Sequence, residues 1–126
     1  MPISEDRIKV NLQEVYNSED RLGIKRIDFY KSLGITFLLR RMEATARCES
    51  LYREPLKFEL IDGCHECKAL LELNVQEAFI KYEGVPLKSR DDLILLKDIL
   101  VLDEKEYIEW YKKTYGSYPI WSNLER

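Results

Sequence analysis

Cys64-His65-Glu66-Cys67 places two thiols one helical turn apart, directly after the strand-like run from Leu56 to Asp62. Sulfur pairs at this spacing suit three fates: they grip one zinc ion, exchange with a disulfide, or lie buried as small hydrophobes. Zinc asks for four ligands in a tetrahedron, and the chain offers only Cys48 as a third thiol and His65 as its single histidine. His65 sits between the pair, where its ring is badly placed to reach the same ion. A complete site would draw on Cys48 with Glu66 or Glu49, or on the same pair from a twofold partner. The metal expectation therefore rests on Cys64 and Cys67, with zinc as the alternative to no cofactor. Cys48 falls on an apolar stripe and is expected in the core. His65, between a turn and Glu66, is expected to face solvent.

The stretch from Leu60 to Leu71, LIDGCHECKALL, resembles the active-site region of thioredoxin- and glutaredoxin-type proteins over about a dozen residues. That resemblance implies dithiol exchange at Cys64 and Cys67, with the leading thiol activated by the helix start. The chain departs from the pattern around it. Val85-Pro86 follows Cys67 too closely to serve as the facing proline strand, and no strand-helix-strand framework surrounds the thiols.

Other catalytic signatures are absent from the sequence. It has no GxGxxG, Walker loop, HExxH or GxSxG, and only five glycines to build a phosphate cradle. Asp91-Asp92 and Asp103-Glu104 stand ahead of apolar runs, where paired acids act as helix-start charges. A non-enzymatic protein is the expectation. Tyr107, Trp110, Tyr111, Tyr115, Tyr118 and Trp121 crowd the C-terminal part, and Tyr and Trp dominate binding hot spots. Most of these rings are expected to cover the domain's own core, with a subset left exposed as a partner or dimer surface, and partner contacts are assigned to Tyr107, Trp110, Tyr111 and Trp121.

The elements that position these residues read as follows. Ile8, Val10 and Leu12 alternate with polar residues, which fits a strand, while Ser4 to Arg7 fits a helix cap equally well. Asn17-Ser18-Glu19-Asp20 supplies capping side chains for a helix beginning near Ser18 or a turn later. Apolar positions three or four apart from Ile27 to Cys48 predict one long helix reaching Tyr52, with Gly34 as a kink or close approach and Pro55 as its stop. Leu56, Phe58 and Leu60 then alternate with Lys57 and Glu59, a strand with the apolar set pointing one way and the charged pair the other. Ala69 to Val75 fits a short helix or a returning strand, and Ala78 to Tyr82 a strand. Ser89 to Asp92 opens a helix over Leu93 to Leu100, or else a hairpin folds at Lys97-Asp98. Asp103 and Glu106 box the start of a last helix that Gly116 ends.

The expected fold is one α+β domain over residues 1–126: a long amphipathic helix on a small, mainly antiparallel sheet, with a helical, aromatic-rich C-terminal part. Hydrophobic residues at 45% suffice for a core without metal or disulfide. Twenty basic against 23 acidic residues leave no nucleic-acid footprint, and no apolar run approaches membrane-spanning length. Three cysteines without a disulfide framework, and no leader-like N-terminus, suggest a cytoplasmic protein. The functional expectation is a regulatory protein that docks on another protein, as a homodimer, in the manner of a phage or archaeal accessory factor. The alternatives are a zinc module, alone or associated with nucleic acid, and a dithiol redox protein.

Overall fold

The computed structural model describes residues 7–41, 44–48, 57–83 and 93–119. Expectations at Leu56, Val85-Pro86, Ser89 to Asp92 and Trp121 lie outside those residues. The described chain runs β1 (Arg7–Asn11), β2 (Tyr16–Asn17), β3 (Arg21–Gly23), α1 (Ile24–Leu33), α2 (Ile35–Arg41), β4 (Thr45–Arg47), β5 (Glu59–Asp62), α3 (Cys64–Glu72), β6 (Glu77–Glu83), β7 (Ile94–Leu95), β8 (Leu100–Leu102) and α4 (Glu104–Tyr115). A six-stranded mixed sheet has the order β1-β6-β4-β5-β2-β7, and β3 with β8 forms a separate parallel pair. The fold is α+β. In the large sheet β1/β6, β4/β5 and β2/β7 are antiparallel, while β4/β6 and β2/β5 are parallel. Among the described residues no helix is long and apolar enough to cross a membrane.

The core joins one face of this sheet to the helices. Val10, Ala46, Leu60, Ala78 and Ile80 from the strands meet Ile27 and Tyr30 of α1 and Cys67 and Leu70 of α3 in one buried cluster. β6 shows why its register is fixed: Ala78 and Ile80 are buried while Glu77, Phe79 and Lys81 are exposed, so a one-residue slip would turn the whole set outward.

The single long helix is not formed. Gly34 adopts φ +87°, a conformation that excludes it from a helix and that side chains rarely tolerate, so the chain ends α1 there and restarts as α2. Beyond it, Thr45–Arg47 is a strand slotted between β5 and β6. Ala44, Ala46 and Cys48 are buried and Thr45 and Arg47 are not, a period of two that the three-to-four spacing of the same residues had masked. Cys48 is in the core as expected, but from a sheet.

Other corrections have similarly local causes. Asn17 does not cap a helix; it belongs to β2, its Nδ2 donates to the Glu19 carbonyl at 2.9 Å, and α1 starts only after Gly23. Glu59, which alternates with Phe58 and Leu60, is nonetheless 0% exposed, because β5 is an inner strand flanked by Tyr16 and Arg47, whose Nη1 lies 3.5 Å from Glu59 Oε1. The apolar run after Leu93 forms neither a helix nor a hairpin. β7 pairs with β2 and β8 with β3, joined by a 3-10 turn at Leu96–Asp98 whose carbonyls accept from Lys68 Nζ. The last helix matches its sequence signals: Asp103 Oδ1 accepts from Glu106 N at 2.8 Å, and Gly116 closes the C-terminus at φ +78°.

Candidate functional site

β5 runs into Gly63, whose φ of +78° turns the chain, and α3 begins at Cys64. The strand, the thiol pair and the helix start thus follow one another as the dithiol resemblance implies. Both thiols, however, are buried. Cys64 is 7% exposed and Cys67 0%, and Cys48 is buried too. Burial pushes the Cys64 thiol well up, with the Glu19, Cys67, Glu66 and Asp62 charges adding to it; burial raises Cys67 likewise, reinforced by Glu66 and Asp62. Burial thus opposes the activation that the helix start would give, and favours the protonated thiol. Among the described residues no three His, Cys, Asp or Glu side chains converge as metal ligands. All three thiols should therefore react with Ellman's reagent at pH 8 only as the protein unfolds; rapid labelling of Cys64 in the native state would contradict this assignment.

His65 is half-buried rather than fully turned out to solvent. Its Nε2 accepts from the Gly23 amide at 3.0 Å, which places its proton on Nδ1, and its ring stands edge-on to Tyr107 at 5.3 Å and 83°. Burial, and secondarily Arg26, lower its pKa to about 3, so the imidazole is neutral. Gly23 is favoured by closeness rather than dihedral angle: a Cβ there would lie 3.1 Å from the Tyr107 ring, so that the ring would have to give by a few tenths of an ångström. Arg26 completes the junction, with its guanidinium 5.3 Å over the Tyr107 ring and Nε 3.3 Å from Glu104 Oε1. Four elements, β3, α1, α3 and α4, thereby meet at one polar knot.

Two carboxyls border it. Glu19, in the β2–β3 turn, is raised to about 7 by burial, partly offset by Arg26; Glu66 is raised to about 7 by burial, opposed by a hydrogen bond from Tyr30. Glu66 thus accepts a hydrogen bond from Tyr30 of α1. Below pH 6.5 the unfolded chain protonates His65 while the folded one refuses until about 3, so this group withdraws stability as pH falls. Glu19 and Glu66 act oppositely, taking a proton near 7 when folded but near 4.5 when unfolded, and they favour the fold as pH falls through that window. Two protons outweigh one. The melting temperature should rise from neutral pH to a maximum near about pH 4.5 to 5 and drop below it. Circular dichroism melts across pH test this, and a steady decline from neutrality downward would refute it.

Along α4 the aromatic residues fall on one face. Tyr107 is 2% exposed and belongs to the interior, and Trp110 and Tyr111 are half-buried. Tyr115 is 49% exposed and Tyr118 65%. Neighbouring rings touch: Tyr107 lies 5.7 Å from Trp110 and 5.9 Å from Tyr111, Tyr111 is 4.6 Å from Tyr115, and Trp110 meets Tyr115 edge-on at 5.8 Å. Lys112 Nζ sits 4.3 Å over the Tyr118 ring and donates to its hydroxyl at 3.0 Å. The face that packs α4 onto the body continues past the body into solvent.

The sequence matches no family model and no curated protein. In three dimensions the chain is similar to protein Atu1540 from Agrobacterium tumefaciens, with a TM-score of 0.60 over 94% of this chain and 74% of that one. At 10% identity, this likeness shows the fold alone.

Of the residues singled out from sequence, Cys64 and Cys67 are together but buried, and Tyr107, Trp110 and Tyr111 are together on one face. Sequence reasoning missed Gly23, Arg26, Glu104 and Glu19. Arg26 and Glu104 are 78 positions apart and Gly23 and His65 are 42 apart, beyond the reach of any local spacing.

Proposed function

We propose that the protein is a non-enzymatic docking protein that engages another protein, a second copy included, through the open end of the α4 aromatic face. The observation that carries this reading is the continuous run of touching rings from interior Tyr107 to exposed Tyr115. Side chains held by their neighbours lose little entropy on binding, and large aromatic surface supplies much of the energy of an interface. Cys64 and Cys67, which would be the reactive thiols of an enzyme, are buried, and His65 is half-buried with its Nε2 accepting from the Gly23 amide.

A photoreactive benzoylphenylalanine at position 115 tests this directly. Illumination should give a discrete protein adduct, with none from the same residue at position 9 on the outer sheet face. Trp110→Ala should reduce the yield about tenfold or more, since loss of a central aromatic anchor costs roughly 2 kcal/mol or above. Failure to form any adduct at 115 would remove the docking reading.

A further inference from the structure

The chemistry of the occupant can be narrowed further, on the assumption that the docking reading holds. We propose that the open end of the α4 aromatic face, together with the β2–β3 turn, receives an arginine-bearing segment of the partner. The charge beside the face selects it. Glu19 and Asp20 lie in the turn that leads into β3, the strand against which α4 packs. Both carboxylates act electrostatically on the Tyr115 phenol, and Glu19 also on that of Tyr107. Among the described residues neither carboxylate has a salt-bridge partner. Arg21, next in the chain, donates instead to the Asp20 main-chain carbonyl at 3.0 Å. Lys112 is occupied by Tyr118.

The same face already holds this combination at its inner end. There Arg26 lies over Tyr107 while its Nε meets Glu104, a guanidinium set between an aromatic ring and a carboxylate. At the outer end rings and carboxylates recur; Arg26 acts electrostatically on Glu19, but among the described residues no salt bridge is made to Glu19 or Asp20. A guanidinium suits such a place better than an ammonium, because it stacks flat on a ring and pairs with a carboxylate through parallel donors. An acidic segment would be repelled, and an uncharged apolar one would leave the carboxylates desolvated without compensation.

Nitrogen–proton correlation spectra of the full chain, titrated with three synthetic peptides of one apolar frame bearing two arginines, two glutamines or two glutamates, test the proposal. The arginine peptide should shift the resonances of residues 18–20 and 110–118 and bind about tenfold more tightly than the glutamine peptide, with the glutamate peptide weakest. That preference should vanish in Glu19→Gln with Asp20→Asn and fade as salt is raised. Because Asp20 is exposed, Asp20→Asn alone, expected to reduce the preference severalfold, carries the test if the double variant loses its dispersed spectrum. Equal binding of the arginine and glutamine peptides at these residues would overturn the arginine assignment while leaving docking intact. If no peptide shifts these residues, the assignment falls; docking itself stands or falls with the adduct at position 115.

Discussion

Arg26→Met is expected to destabilise the protein by about 3 kcal/mol, the lower end of the range for stripping one partner from a buried ion pair. The side chain is 6% exposed and that of Glu104 22%, so Glu104 recovers some hydration and the full penalty is not reached. Glu104 Oε2 is already buried without a hydrogen-bond partner among the described residues, and losing the guanidinium would leave the whole carboxylate uncompensated. Tyr107 would lose the cation over its ring, and Glu19 the Arg26 charge that opposes the effect of its burial. The melting temperature should fall by roughly 10 °C. Adding Glu104→Gln should recover a large part of the loss, because the cost lies in the orphaned charge rather than in the absent pair. A single variant within about 0.5 kcal/mol of the parent would show that the knot does not stabilise the fold.

Leu60→Ala should cost about 2–5 kcal/mol, read as a shifted denaturant midpoint at unchanged slope. Leu60 is fully buried in β5, with Ala46 and Asn17 as its register neighbours in β4 and β2. Small and hydrogen-bonded neighbours collapse poorly into the space, so the cavity should persist. Leu100→Ala is the control: the residue is 52% exposed on β8 and should change stability by less than about 0.5 kcal/mol. Equal effects at the two positions would mean that β5 does not lie at the centre of the core. Since β5 delivers Gly63 and the start of α3, the Leu60 variant should also expose Cys64 to thiol reagents sooner on heating.

The residues that were legible in the sequence are those whose cause is local. Asp103, Glu106 and Gly116 bound α4 because capping acts over three or four positions, and β6 announces itself by strict alternation. The segment from Ala44 to Cys48 was ambiguous for a physical reason. Its side chains satisfy a helical stripe and a strand alternation at once, and the open slot between β5 and β6 decided the matter. The apolar run from Leu93 to Leu100 went the same way, divided between two strands that pair with different neighbours.

From the order of its residues alone, the chain determined an α+β fold, the caps of α4, the break available at Gly34, and a thiol pair at the junction of a strand and a helix. Whether those thiols react, whether His65 meets water, and which aromatic rings remain open were decided by tertiary packing. Propensity and capping act between residues a few positions apart. Burial and local charge are sums over neighbours such as Gly23, Arg26 and Glu19, which only the folded chain brings beside the thiol helix and Tyr107.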